Sequence, residues 1–512
     1  MVAKLPIIYV RGYAGSTGGI DKAADDPFYG FNLGSTHVRV GGSGEPTFYQ
    51  FESPLLRLIL EEGYQLKVEG SQEQFLDRQD DGAVSPETIW IHRFYDVSAS
   101  TYADKPQDFS LESSARDLLR LVDKVRVKTG AARVNLVAHS MGGLICRCLI
   151  QKVIPETYDG SDGTERRRAV DIVERLFTYG TPHGGIEFDV GFGVIERVRD
   201  AVGFAGGDIF GPSRMYEYLT PRSEPPQERS ADWKARMMPD TDNFPLERVF
   251  CLIGTNPEDY DAARGLSSKA VGAKSDGLVQ IENAYVPGAN NAFVHRSHSG
   301  RYGLVNSEEG YQNLRRFLFG DVKVTADLTG LRLPQPADDD SSMVWQAEVQ
   351  VSIRGLPVLM HEQTAAHYCP IQLVAHPDND PADRPVPLVQ SFLWTHQQPA
   401  NADTTRYVLH VRILSLRERG GIFGFGDHLE QTADFDDTLV IDLAPRGQGY
   451  AAWAQWNSLI SGPLRNYQPD GEPLGDENPE QGVWEARVPL PPVALEFFGE
   501  RAAVALTVRP RG

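Results

Sequence analysis

Short apolar runs recur through the first 320 residues of the chain, and between them apolar residues follow helical spacing. Runs of this length are typical of strands that are buried on both faces of a parallel sheet. The predicted strands cover residues 7–10, 88–95, 134–137, 175–180, 248–254 and 292–296. This alternation predicts an α/β fold in which a mostly parallel sheet is flanked by helices.

Two predicted helices have clear ends in the sequence. Ser53-Pro54 is a start signal, because a serine can cap the helix and proline suits the first helical position. A second helix is predicted from about Leu111, and Gly63 and Gly130 are expected to end the two helices. A last amphipathic helix is predicted over residues 311–319.

The pattern changes after residue 320, where apolar and polar residues begin to alternate. Alternation with a period of two predicts half-buried strands, here at 345–353, 407–413 and 504–508. Loops rich in Pro, Asp and Gly separate them, and no convincing helix is predicted. We therefore expect a catalytic α/β domain over residues 1–320 and a smaller, β-sandwich-like accessory domain over residues 321–512.

Residues 186–245 interrupt the alternation of strands and helices in the first domain. The segment is rich in glycine and aromatic residues. Such a long excursion between strands is uncommon and often covers a binding site. We expect a lid or substrate cap, and the alternative is a structural insertion without a role in chemistry.

Ser140 is predicted to lie at a sharp turn between a buried strand and a helix, with Ala138 and Gly142 on its two sides. A nucleophilic serine on a strained turn needs small residues at these positions. An ordinary turn with a helix-capping serine would fit the same residues. The motif alone does not decide between the two interpretations.

Composition and charge exclude several classes of protein. The chain is 41% hydrophobic and 23% charged, with a mean hydropathy of −0.34, which is typical of a soluble globular protein. A net charge of −20 argues against nucleic acid as a partner. No apolar run is long enough for a membrane span and the first residues do not resemble a signal peptide, so a cytoplasmic location is expected.

Cysteine and histidine usage predicts neither a disulfide framework nor a metal site. The four cysteines lie at positions 146, 148, 251 and 369, and such a low density is typical of a reducing compartment. No pair of histidines has the spacing of metal ligands. We expect no cofactor.

Ser140, Asp276 and His298 each follow a predicted strand, in the order Ser, Asp, His. The carboxyl ends of parallel strands form the edge at which α/β proteins bind ligands, and this order is that of the α/β hydrolases. Three segments strengthen the likeness: Val-Ala-His-Ser-Met-Gly-Gly at 137–143, Tyr-Gly-Thr-Pro-His-Gly-Gly at 179–185 and Ser-Asp-Gly-Leu-Val at 275–279. The first 320 residues thus resemble the α/β-hydrolase superfamily, in particular serine lipases and esterases such as bacterial lipases and lipid-anchor deacylases.

The resemblance implies a role for each of these residues. Ser140 would be the nucleophile, His298 its base and Asp276 the carboxylate that orients the base. The backbone N–H groups of Tyr13 and Met141 would form the oxyanion hole.

Two further residues are expected near the substrate. Many lipases have His-Gly where this chain has Arg11-Gly12, so Arg11 is expected either to brace the loop or to contact the polar end of the substrate. His183 is expected to hold a loop beside the site, near enough to take part in substrate binding, and not to act as the base. His139 is expected to pack beneath the nucleophile.

Alternatives remain open for the acid–base pair. His295 lies inside the last predicted strand and is the rival base, whereas His298 lies in a loop beyond it. Asp276 precedes Gly277, so an ordinary Asp-Gly turn is the alternative to a catalytic carboxylate.

The resemblance implies a hydrolase that cleaves carboxylic esters, with a lipid or another acyl ester as substrate. An acyltransferase or thioesterase could use the same three residues. An alternative outside the enzymes is a catalytically inactive binding scaffold with the hydrolase fold. In either case, residues 321–512 are expected to offer a docking surface for a partner.

Overall fold

The structure of the chain is a computed structural model, which describes most of the sequence. The described residues are 4–12, 35–40, 46–51, 53–67, 72–94, 110–161, 163, 165–186, 207–222, 228–257, 274–299, 303–334, 342–374, 384–395, 404–419, 428–446, 449–469, 471–478 and 483–511. Predictions that concern Tyr13, or residues 187–206 and 223–227 of the expected lid, lie outside this set.

The strands in chain order are β1 Ile7–Val10, β2 Ser35–Val40, β3 Pro46–Phe51, β4 Gln65–Leu66, β5 Thr88–His92, β6 Val134–His139, β7 Val173–Tyr179, β8 Val249–Gly254, β9 Asn290–Val294, β10 Val322–Thr329, β11 Ser342–Ile353, β12 Leu359–Gln363, β13 Ile371–Leu373, β14 Val386–Leu393, β15 Thr405–Arg419, β16 His428–Arg446, β17 Gly449–Trp456, β18 Trp484–Pro489 and β19 Ala503–Pro510. The α-helices are α1 Pro54–Glu62, α2 Gln72–Asp77, α3 Leu111–Thr129, α4 Met141–Cys148, α5 Ile154–Thr157, α6 Pro212–Leu219, α7 Glu308–Phe319 and α8 Pro492–Phe498. A π-helical segment, Leu149–Val153, joins α4 to α5.

The predicted helix ends reflect local hydrogen bonding. The Ser53 side chain accepts a hydrogen bond from the N–H of Leu56 and caps α1, which begins at Pro54. Gly63 and Gly130 follow α1 and α3 in the left-handed conformation that ends helices.

A seven-stranded sheet with the order β4-β5-β1-β6-β7-β8-β9 organises the first part of the chain. The pairs β4–β5, β5–β1, β1–β6, β6–β7 and β7–β8 are all parallel. The central strands β1 and β6 are mostly apolar and almost wholly buried, as expected when helices cover both faces. A separate hairpin pairs β2 with β3.

The chain divides into two compact units. The first contains residues 3–291 and 295–314, and the second contains residues 292–294 and 315–512. The division falls within α7, close to the expected domain boundary at residue 320, which stays a prediction.

The second unit contains two antiparallel sheets. One has the order β14-β10-β19-β18, and the other the order β12-β11-β15-β16-β17 with β13 beside β11. Apolar residues from both sheets, such as Val324, Val349 and Val504, belong to one buried core. The expectation that this region lacks a helix is wrong, because α8 lies between β18 and β19. Its Pro492 start and Gly499 end were available signals.

Among the residues that the structure describes, none of the helices combines the length and the apolar character that crossing a membrane requires. All four cysteines are free and buried.

Candidate active site

The nucleophile candidate Ser140 lies between β6 and α4 in a strained backbone conformation. Its φ of 55° and ψ of −129° are rare for a residue with a side chain, and such strain typically costs about 1–3 kcal/mol. The Ser140 side chain makes no capping hydrogen bond to α4. The helix-capping interpretation of this serine is therefore not what the geometry shows.

The surroundings of Ser140 hold this turn in place. Its N–H donates to the carbonyl of Tyr179 at 2.8 Å, and its carbonyl accepts from the Thr181 hydroxyl at 2.8 Å. The end of β1 packs against the serine so closely that a Cβ at Gly12 would lie 2.6 Å from the Cβ of Ser140. Neighbouring strand ends thus fix the serine from two sides.

A continuous chain of hydrogen bonds joins Ser140, His298 and Asp276. The distance from Ser140 Oγ to His298 Nε2 is 2.9 Å, and that from His298 Nδ1 to Asp276 Oδ2 is 2.8 Å. The three residues are only 5%, 2% and 1% exposed. Because a carboxylate only accepts, Nδ1 of His298 carries the proton, and Nε2 accepts the hydrogen bond of the Ser140 hydroxyl.

Asp276 is held by its own turn as well as by the histidine. Its Oδ1 accepts the N–H groups of Leu278 and Val279 at 3.1 and 2.7 Å, and Gly277 has a φ of 94°. The Asp276 carbonyl also accepts the N–H of His298 at 2.8 Å. The tight Asp-Gly turn and the contact with His298 therefore exist together.

The absence of a side chain at Gly180 makes room for the Asp276–His298 pair. Gly180 follows β7 with a φ of 50°, and a Cβ at this position would lie 2.9 Å from Asp276 Oδ2 and 3.1 Å from His298 Nδ1. A residue with a side chain would press on both atoms that form the hydrogen bond.

The strand order, the serine at a strained turn after β6 and the Ser–His–Asp chain at the carboxyl ends of parallel strands occur together in one arrangement. The first unit has the α/β-hydrolase fold.

Comparisons with known proteins give weak likenesses. No family model matches the chain, and neither does any curated protein. Similar solved structures include a gene product of Listeria innocua, with 15% identity, 62% of this chain and 94% of that chain covered and a TM-score of 0.25. The mature lipase BlEst2 of Bacillus licheniformis has 15% identity, 62% and 92% coverage and a TM-score of 0.31. Phospholipase PlaB of Legionella pneumophila has 11% identity, 92% and 99% coverage and a TM-score of 0.30. At these TM-scores the likenesses assign no function, and the fold rests on the strand order and the geometry of the site.

The other predicted site residues are placed as follows. Met141 is buried at the first position of α4, directly after the nucleophile. Arg11 is partly exposed after β1 and lies close enough to His139 to affect its pKa.

His183 is fully buried. Its Nε2 lies 3.2 Å from the Thr178 hydroxyl and 3.5 Å from the sulfur of Cys251, and burial lowers its pKa well below the ordinary value. This placement suits a residue that holds its loop and gives no support to a contact with substrate.

The rival base, His295, does not lie inside the last strand as the sequence predicted. Strand β9 ends at Val294, so His295 is outside the strand, where it is exposed and has its Nδ1 3.4 Å from the Thr255 hydroxyl. The structure brings His298 to Ser140 instead.

Sequence reasoning missed a buried arginine that connects α4 to the insertion. Arg147 is fully buried, and its guanidinium donates to the carbonyls of His183, Ala235 and Met237 at 2.8–3.0 Å and to the Gln151 side chain. Burial lowers its pKa to about 10. The described residues place no carboxylate against it, so its partners are three backbone carbonyls and the neutral Gln151 side chain.

Two other polar side chains beyond α4 hold the same insertion. The Lys152 ammonium donates to the carbonyl of Glu217 in α6, and the Asn243 amide donates to the carbonyl of Ile150 at 2.9 Å. Together with the contacts of Arg147 they attach the described part of the insertion, residues 207–222 and 228–245, to α4 and to the π-helical segment that follows it.

Proposed function

We propose that this chain is a serine hydrolase that cleaves carboxylic esters through an acyl-enzyme on Ser140. The single observation that carries the proposal is the hydrogen-bonded series from Ser140 Oγ through His298 to Asp276, on a strained turn. A serine hydroxyl is a weak nucleophile until a base removes its proton. An imidazole with a bare Nε2 at 2.9 Å is suited to that task.

In the first half of the reaction, Ser140 Oγ attacks the ester carbonyl and its proton passes to His298 Nε2. The imidazolium then gives this proton to the leaving alcohol as the carbon–oxygen bond breaks, which leaves an ester on Ser140. A water molecule repeats the sequence, and its proton also passes through His298, so that serine and carboxylic acid are released. Asp276 keeps the proton on Nδ1 and stabilises the imidazolium that forms twice.

The negative oxygen of the tetrahedral intermediate requires backbone donors. We assign one to the N–H of Met141, because the first N–H groups of a helix have no partner within the helix. The second is assigned to Tyr13, the residue after Gly12, and the contact of Gly12 with the nucleophile supports this placement of the loop. Loss of one such donor typically costs about 2.7–4 kcal/mol of transition-state stabilisation.

We propose an apolar acyl group for the substrate, with residues 186–245 as a cap over the site and Arg11 facing the polar end of the ester. The aromatic content of the insertion and its attachment to α4 through Arg147 support a cap whose base is fixed. The partial exposure of Arg11 beside the nucleophile supports its assignment.

We further propose that residues 1–320 form the catalytic domain and residues 321–512 an accessory β-domain. All three residues of the hydrogen-bonded series belong to the first unit. The common core of the two antiparallel sheets supports a sandwich-like second domain.

The decisive experiment is covalent labelling with a fluorophosphonate probe. The wild-type protein should be labelled and should hydrolyse p-nitrophenyl esters, and Ser140→Ala should lose both properties while remaining folded. Ser85→Ala changes an exposed serine before β5 and serves as the control. Labelling that persists in Ser140→Ala would move the active serine elsewhere, and a wild-type protein without labelling would favour a binding scaffold. A chain-length series of esters then tests the apolar acyl group.

A further inference from the structure

The residue before the nucleophile makes contact with the main chain of the base. His139 ends β6, and its Nε2 lies 2.9 Å from the carbonyl oxygen of His298. The two imidazole rings are 4.9 Å apart and tilted by 38°. His139 is partly exposed, and the expectation that it packs beneath Ser140 stays a prediction.

The partners of His139 determine its protonation. A carbonyl oxygen only accepts, so Nε2 of His139 carries the proton. Although the ring keeps some accessible surface, desolvation and the nearby His298 and Arg11 lower its pKa to about 3. At neutral pH His139 is thus an uncharged donor, and it adds no positive charge beside His298 when that ring accepts the serine proton.

With His139 included, both ends of His298 are fixed. The His298 N–H donates to the Asp276 carbonyl at 2.8 Å, and the His298 carbonyl accepts from His139. The ring contacts Asp276 through Nδ1 and Ser140 through Nε2. Adjacent residues of one turn, His139 and Ser140, therefore hold the main chain and the side chain of the same histidine.

We propose that His139 is a positioning residue that aligns the base with the nucleophile by holding the carbonyl of His298 with its Nε2–H group. This inference rests on the proposed function, since it assumes that His298 accepts the proton of Ser140. Small displacements at a reacting centre have large effects, and a misplacement of about 1 Å can reduce the rate about 100-fold. The effect belongs to kcat, because His139 aligns reacting groups.

The test uses a pair of amide substitutions at position 139. The glutamine amide can bring an N–H to the place of Nε2, whereas the asparagine amide is too short to reach the carbonyl. On p-nitrophenyl butyrate, His139→Asn should reduce kcat by about 10–100-fold with little change in KM, which is the scale of a lost alignment. His139→Gln should retain kcat within a few-fold. His139→Phe removes the donor while filling the space and should behave like His139→Asn.

The acidic limb of the kcat/KM profile provides a second readout. Among the residues that the structure describes, the ionisable groups that affect His139 are His298 and Arg11, with Asp276 beyond His298. If His139 remains uncharged, the limb should follow a single ionisation in both the wild-type protein and His139→Gln. A limb with two ionisations in the wild type that becomes single in His139→Gln would overturn the proposal.

Equal kcat values for His139→Asn and the wild type would also overturn it, and so would equal losses in His139→Asn and His139→Gln. Labelling of the wild type but not of Ser140→Ala separates these outcomes from failure of the proposed function. In that case the proposed reaction at Ser140 remains supported, and only the proposed role of His139 is rejected.

Discussion

Replacing Gly180 by alanine tests whether the geometry of the Asp–His pair limits the rate. The new Cβ would lie 2.9 Å from Asp276 Oδ2, 3.0 Å from Leu304 Cδ1 and 3.1 Å from His298 Nδ1. Ordinary contacts with a Cβ begin at 3.4 Å, so these atoms must separate by 0.3–0.5 Å. The substitution presses on both partners of the 2.8 Å hydrogen bond.

The expected loss follows from that displacement. A shift of about half an ångström in the base should reduce kcat roughly 10-fold to 100-fold, since about 1 Å can reduce it about 100-fold. Alanine at a φ of 50° adds strain that lowers stability by about 1–2 kcal/mol. Steady-state hydrolysis of p-nitrophenyl butyrate and thermal unfolding measure the two effects separately.

Gly130→Ala is the matched control. Gly130 follows α3 and also has a positive φ, of 67°. The atom nearest to its new Cβ would be the Cα of Gly82, at a distance of 3.7 Å. This variant should lose a similar stability and keep its kcat. The reasoning is refuted if Gly180→Ala has the wild-type kcat, or if the two variants lose kcat equally.

Three further predictions concern the carboxylate, the buried arginine and the buried histidines. Asp276→Asn should reduce kcat by roughly 10⁴-fold in a folded protein, because an amide favours the wrong tautomer of the base; a loss below 10-fold would argue against the assignment. Arg147→Met leaves buried carbonyls without a donor, and each such carbonyl costs about 1–3 kcal/mol of stability. Urea unfolding should therefore show a loss of several kcal/mol. The control Arg120→Met changes an exposed side chain and should lose less than about 1 kcal/mol. Burial lowers the pKa of His92 and of His361 from 6.5 to about 4. As the pH falls from 6.5 to 4, the unfolded chain therefore binds protons that the folded chain does not. Each histidine should then lower the free energy of unfolding by about 1.4 kcal/mol per pH unit. Above pH 6.5 these two histidines should add nothing to the pH dependence of stability. Below it, His361→Asn should reduce the slope of unfolding free energy against pH by about 1.4 kcal/mol per pH unit. Urea midpoints that respond to pH in the same way before and after the substitution would contradict this.

The positions of Ser140, His298 and Asp276 could be predicted from the sequence because the signal for each residue is local. A serine between small residues at a strand end, an Asp-Gly turn and a histidine in a loop beyond the last strand can each be identified within a few positions. The parallel sheet then brings the strand ends to one edge. The preference for His298 over His295 assumed that His295 lies inside the last strand. That assumption is wrong, because β9 ends at Val294, but it is His298 that contacts Ser140.

The contacts of His139 and Arg147 could not be predicted in this way. Both side chains donate to backbone carbonyls, at His298 and at His183, Ala235 and Met237. Every residue has a carbonyl, so the partner leaves no mark on the sequence. Helix α8 was missed for another reason, because its single short stretch of seven residues lies between strands whose alternation dominates the pattern.

The strained backbone at Ser140 has a consequence for the evolution of this protein. Glycine adopts a φ of 55° without penalty, so Ser140→Gly should raise the free energy of unfolding while it removes the hydroxyl. We therefore expect the chain to be less stable than a variant of itself without the Ser140 side chain. Selection for thermal tolerance alone would favour loss of the serine, and a directed-evolution experiment must screen for turnover in every round to retain it.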